Sequence, residues 1–132
     1  MPAALVSYWN MWNEPNLDMI RTHLEAAVAA DVEWADPLHH HHGRDALEAN
    51  VRELRSNKPE YQFVIASEIE EHHNRLRYEW HMGRKNRVLI RGLDIVTLDD
   101  AGLIARVDGF FGDVPAIAAE GSGVPEHLRA PA

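Results

Sequence analysis

The hydrophobic period of the chain changes once, near Pro59, and that change separates a helical part from a sheet part. Before it, Leu5, Tyr8 and Trp12 recur at helical spacing, which predicts a helix with one inward stripe. Asn13-Glu-Pro-Asn16 interrupts the pattern, and Asn16 is placed to cap a second helix with Leu17, Ile20, Leu24, Ala27 and Val28 on one face. Val32 to Ala35 reads as a short strand. Asp36-Pro37 ends it, because proline restricts its predecessor and cannot donate to a ladder. A loop, Leu38 to Gly43, leads to a third helix from Arg44 to about Ser56, with Leu47, Val51 and Leu54 inward and a Glu48–Arg52 pair outward.

Beyond Pro59 the period is two. Tyr61, Phe63, Ile65, Ser67 and Ile69 alternate with Gln62, Val64, Ala66, Glu68 and Glu70; Leu76, Tyr78, Trp80 and Met82 then alternate with Arg75, Arg77, Glu79 and His81. Arg91 to Leu98 and Leu103 to Phe111 read as two further strands around the turn Asp99-Asp-Ala-Gly102. With connectors at His72-His-Asn74 and Gly83-Arg-Lys-Asn86, this half predicts a four-stranded antiparallel meander. Helices first and a sheet afterwards is an α+β order. A single domain is expected over residues 1–132, with its core at about 5–112 and a peripheral or mobile tail at 113–132 that contains Gly121-Ser-Gly123.

Composition narrows the function classes. The 132 residues leave room for one core and one cavity. The chain has no cysteine, which removes disulfides, thiolate nucleophiles and thiolate metal sites. Thirteen basic against twenty-one acidic residues give a net charge of −8, which argues against nucleic acid or an anionic membrane as main partner. No stretch approaches membrane-spanning length and no leader pattern opens the chain, so a cytoplasmic location is expected.

Three acids stand out. Asp94 lies inside the strand Arg91-Gly-Leu-Asp-Ile-Val-Thr-Leu98, Asp108 inside Leu103-Ile-Ala-Arg-Val-Asp-Gly-Phe-Phe111, and Asp36 closes the first short strand. A carboxylate within a strand needs a partner, a proton or a role in chemistry. Asp94 has the apolar same-face neighbours Ile90 and Val96, so its neutral form is expected, while the more open Asp36 is expected to stay ionised.

Asp31-Val-Glu-Trp-Ala-Asp-Pro37, Gly43-Arg-Asp-Ala-Leu47, Arg91-Gly-Leu-Asp-Ile95, Gly102-Leu-Ile and Gly109-Phe-Phe111 resemble the recurring phrases of SnoaL-like domains. These belong to the nuclear transport factor 2 (NTF2)-like superfamily, alongside polyketide cyclases and relatives of ketosteroid isomerase. The resemblance covers roughly residues 5–112. It implies a cone in which three N-terminal helices pack on a curved, mainly antiparallel sheet around a cavity. The scaffold serves several reactions and non-catalytic binding as well. By the ketosteroid isomerase pattern, Asp36 resembles the base, and Tyr8 and Asp94 the pair that binds the enolate oxygen. By the limonene epoxide hydrolase pattern, Arg77, Glu79 and Asp108 resemble the water-activating and epoxide-protonating set. Glutamate there replaces an aspartate, and Trp34 and Asp36 stand where that pattern has a tyrosine and an asparagine. The implied activity is cofactor-independent carboxylate acid/base chemistry beside a carbonyl, of isomerase, cyclase or dehydratase type.

Each of these residues also has a plainer reading. Arg77 and Glu79 share a strand face and can form an ion pair with Asp108. Asp36 before a proline can cap a turn, and Tyr8 can be core. His39 to His42 read as a solvated loop at a cavity rim and not as a defined metal site. His81 shares the parity of Arg77 and Glu79, which makes it a pocket or interface candidate. Trp12, Trp34 and Phe110, with His81, are the expected contacts to a small apolar or aromatic ligand. A homodimer through the sheet is expected, because Leu76, Tyr78, Trp80, Met82, Leu93 and Ile95 would otherwise leave an apolar face exposed.

Overall fold

Helix α1 (Ala3–Trp12) buries Leu5, Tyr8, Trp9, Met11 and Trp12, a face wider than the stripe in the sequence because two neighbours flank it. The structure is a computed structural model and describes residues 1–118 and 123–131. Asn16 caps a 3-10 turn (Leu17–Met19), accepting from the Asp18 amide, and this turn feeds α2 (Ile20–Ala27). Helix α3 (Arg44–Asn57) turns Leu47 and Val51 inward and carries the expected Arg52–Glu48 bond at 2.7 Å on its outer side.

Seven strands follow: β1 (Val28–Ala35), β2 (His40–His42), β3 (Gln62–Ile65), β4 (Glu70–His72), β5 (Arg75–Arg84), β6 (Arg87–Leu98) and β7 (Ile104–Phe111). They form one sheet in the order β2-β1-β7-β6-β5-β3, with β4 also on β5. The meander is present, although its first strand is split: Ala66 to Ile69 leave the ladder between β3 and β4. Strand β1 starts at Val28, not Val32, and runs parallel to β7, a pairing no local pattern announces. The expected loop at His39 to His42 is in part a strand, since β2 pairs antiparallel with β1. Its imidazoles are engaged: His40 and His42 meet the Glu33 carboxylate, and His41 stacks on Trp34.

Arg55 ties the helical layer to the sheet. Its side chain is buried and donates to the carbonyls of Trp12, Glu14, Pro59 and Tyr61. These are the chain ends where α1 stops and β3 begins, so one guanidinium serves backbone acceptors that would otherwise lack partners. Asn13 adds a two-way bond with the Phe63 backbone at 2.9 and 2.7 Å.

All three helices cover one face of the sheet. On β5 that face takes Leu76, Tyr78, Trp80 and Met82 into the core, while Arg75, Arg77, Glu79 and His81 point away. The four apolar β5 residues expected on an open, dimer-forming face are thus covered by the helices. Leu93 and Ile95 do lie on the far side, in a groove with Arg77, Glu79, His81, Arg91 and Phe110. No helix among the described residues is long and apolar enough to cross a membrane. Of the tail, residues 119–122 and 132, Gly121 and Ser122 among them, lie outside the described residues; the described part carries one 3-10 turn, Glu126–Leu128.

Gly92 shows how tightly the core face is filled. It stands opposite Trp80 on β5, and a methyl group there would overlap the indole ring. Gly92→Ala should therefore lower unfolding stability by about 1–3 kcal/mol through overpacking, read as a lower urea midpoint at unchanged slope.

Candidate active site

A cavity of about 170 Å³ lies between the helices and the sheet. Trp9 and Trp12 from α1, Trp34 from β1, Phe63 from β3, Trp80 from β5 and Phe111 from β7 give it aromatic walls. Its polar lining consists of Tyr8, Asp36, His39, Asn50 and Asp94. A flat apolar molecule suits such walls, and few polar groups are left to orient it.

The two acids meet through strand register. Tyr78 on β5 stands opposite Asp94 on β6, and Asp94 stands opposite Gly109 on β7. The parallel β1–β7 pairing sets Ala35 beside Asp108, which brings Asp36, the next residue, level with Gly109. A Cβ on Gly109 would lie 3.1 Å from Asp94 Oδ1 and 3.6 Å from Asp36 Cβ. The glycine thus leaves a gap that both carboxyl groups border.

Asp94 is 3% exposed. Its Oδ1 accepts from Trp80 Nε1 at 2.9 Å and its Oδ2 from the Tyr78 hydroxyl at 3.0 Å. Tyr78 in turn accepts from Trp9 Nε1 at 3.2 Å. Burial pushes the Asp94 carboxyl up to about 7; the two hydrogen bonds oppose the shift in part, and the charge of Asp36 adds to it. Near neutrality Asp94 is therefore poised between acid and carboxylate.

Tyr8 is fully buried and accepts from Trp34 Nε1 at 2.8 Å. Burial first, then the charge of Asp94, raises its hydroxyl well above the usual phenol range, so it stays protonated. Asp36 is half-buried. Its Oδ1 closes the turn into β2 by accepting from the amides of Leu38 and His39 at 2.8 and 2.7 Å, with His39 Nδ1 at 3.3 Å. The turn-capping role and a place at the cavity both hold for this residue. Its Oδ2 makes no hydrogen bond among the described residues.

Tyr8, Asp36, Asp94, Trp12 and Trp34 are thus brought together at one cavity. Arg77, Glu79, Asp108, His81 and Phe110 do not join it. Arg77 pairs with Glu70 on β4, Asp108 accepts from Arg106 at 2.8 Å, and Phe110 is 61% exposed on the outer side. The physical reason is strand parity: Arg77, Glu79 and His81 alternate with the core residues of β5, and Asp108 and Phe110 with Val107, Gly109 and Phe111 of β7. Arg77 and Glu79 line the outer groove without Asp108, and none of the three reaches the aromatic cavity. Trp9, Trp80 and Phe111 belong to the aromatic supply that the sequence offers for a cavity, and His39 to the histidine run expected at its rim; Phe63, Gly109 and Asn50 join the lining without such a signal. Among the described residues no cluster of three His, Asp or Glu side chains is arranged to hold a metal ion.

With this geometry, the sequence matches the model of the SnoaL-like domain over residues 5–107. The chain belongs to the SnoaL-like domain family. No protein with a curated description matches it. Among solved structures, it is similar to a "putative isomerase of the SnoaL-like family" from Agrobacterium tumefaciens, at 28% identity and TM-score 0.77, covering 83% of this chain and 95% of that one. An NTF2-like protein of unknown function from Exiguobacterium shares the fold at 17% identity and TM-score 0.69, covering 84% and 99%. A "putative polyketide cyclase" from Sinorhizobium meliloti does so at 16% and 0.66, covering 83% and 94%. The SnoaL-like domain here has the NTF2-like α+β fold, with a mixed, mainly antiparallel sheet.

The raised Asp94 has a consequence for stability. Between its ordinary value of 3.8 and about 7, the folded protein holds a proton that the unfolded chain releases, so stability falls as pH rises through this window and levels off above it. The shift corresponds to a cost of about 4 kcal/mol above pH 7. Asp94→Asn should remove this slope, measured as the difference in urea unfolding free energy between variant and parent from pH 4 to pH 8.

Proposed function

We propose that this SnoaL-like domain is a cofactor-independent enzyme that moves a proton beside the carbonyl of a small, flat, apolar ligand, in isomerase, cyclase or dehydratase chemistry. The observation that carries this reading is the pairing of Asp94, buried and raised to about 7, with Asp36 across the Gly109 gap in an aromatic cavity. Two carboxyl groups in unlike surroundings divide the roles of donor and acceptor between them.

Asp36 Oδ2 takes the proton from the carbon next to the carbonyl. The C–H electron pair moves into the new carbon–carbon double bond, and negative charge develops on oxygen. Neutral Asp94 and the protonated Tyr8 hydroxyl donate hydrogen bonds to that oxygen, and the proton on Asp36 returns to the neighbouring carbon or assists a leaving group. The aromatic walls exclude water and so strengthen each of these interactions.

A probe reaction tests this without the natural substrate: exchange of the α-protons of 2-tetralone for deuterium, followed by proton NMR. Asp36→Asn should abolish protein-dependent exchange while 2-tetralone still binds, because the amide is nearly isosteric and is no base. Asp94→Asn, which keeps a donor, should lose less than Asp94→Ala, and the rate per bound ketone should fall as pH rises through about 7 with loss of the Asp94 proton. Wild-type exchange in Asp36→Asn would refute the assignment. Binding of 2-tetralone without exchange by the parent protein would favour the second reading, a ligand-binding module that keeps the cavity and lacks the reaction.

A further inference from the structure

The four tryptophans all line the cavity, and three of their indole N–H groups are spent. Trp9 donates to Tyr78, Trp34 to Tyr8 and Trp80 to Asp94. Trp12 is the exception: its Nε1 is buried and has no hydrogen-bond partner. An unmet buried donor costs free energy, and three satisfied neighbours show that this aromatic wall can supply acceptors. Trp12 follows Tyr8 by one helical turn on α1, so both project from the same face into the cavity. Its indole also lies near enough to the Tyr8 oxygen to favour the phenolate slightly, without a bond of normal geometry between them. The Tyr8 oxygen already accepts from Trp34, which directs the hydroxyl hydrogen elsewhere. Two unspent donors, an O–H and an N–H, therefore stand side by side on one helix.

We propose that Trp12 Nε1–H is a further donor, beside Tyr8 O–H and neutral Asp94, to the ligand's oxygen, so that the cavity favours planar ligands carrying an enolate- or phenolate-type oxygen over those without one. This deepens the proton-transfer reading and rests on it for the ligand class. Trp12 is then a catalytic donor that touches the substrate oxygen and not merely an aromatic wall. Its N–H needs no reorganisation as charge develops, because the indole is held by Tyr8, Trp34 and Phe63 around it.

The experiment uses 4-nitrophenolate as probe and nitrobenzene as its counterpart lacking the phenolate oxygen, with the protein labelled with nitrogen-15. Four indole N–H signals are expected. Saturation with 4-nitrophenolate should move the Trp12 signal downfield well beyond the other three, whose acceptors lie within the protein, and nitrobenzene should not. Trp12→Phe keeps an aromatic ring and removes the donor; it should weaken 4-nitrophenolate roughly tenfold or more relative to nitrobenzene. The titration of the parent protein decides the matter even if that variant folds poorly. The proposal is overturned if 4-nitrophenolate does not bind, if the Trp12 signal responds equally to both probes, or if Trp12→Phe leaves their affinity ratio unchanged. Asp36→Asn should preserve the Trp12 response while losing 2-tetralone exchange, so failure of oxygen recognition and failure of catalysis are read separately.

Discussion

Asp94 is a carboxyl group placed where an aromatic core has almost no room for charge, and much of the inner architecture exists to make that placement tolerable. Its two oxygens take the Trp80 indole and the Tyr78 hydroxyl, and Tyr78 is supported by Trp9 from the opposite layer. The bonds thus cross from β6 to β5 to α1. They reduce the cost of burial without cancelling it, which is why the group settles near 7 instead of returning to the ordinary carboxylate range. A protein that retained only stability would gain by replacing it with an apolar residue of similar size.

The remaining geometry follows from the backbone around that acid. Parallel pairing of β1 with β7 brings the end of β1 level with Gly109, and the missing side chain there lets Asp36 and Asp94 face one gap. The Asp36 side chain also holds the turn that begins β2, so its carboxyl group is oriented by the same bonds that shape the chain. Arg55 fixes the junction from which α1 presents Tyr8, Trp9 and Trp12. Donor and acceptor positions are consequently set by secondary structure and its joints, with little left to side-chain freedom.

The four histidines illustrate how a conspicuous motif divides once it is folded. His40 and His42 turn outward to Glu33, which they hold in its charged form, while His41 stacks on Trp34 and His39 reaches the cavity beside Asp36. Alternation along a short edge strand accounts for this split. Identical residues receive unlike roles because neighbouring side chains on a strand leave by opposite faces.

Period and punctuation in the sequence determined the helices, the meander and its hairpins, and the anomaly of an acid between Ile90 and Val96, since all of these depend on neighbours within a few residues. The SnoaL-like phrases likewise carried the fold class, and they pointed to Tyr8, Asp36 and Asp94, which line one cavity. Only the tertiary structure decided which strand face the helices cover, and so sent Arg77, Glu79, His81, Asp108 and Phe110 outward and Trp80 inward. Alternation is symmetric by itself: it says which residues share a face, and the packing partner alone says which face is buried. The same holds for the meeting of Asp36 with Asp94. It depends on a parallel pairing between strands far apart in the chain, and no local pattern encodes that contact.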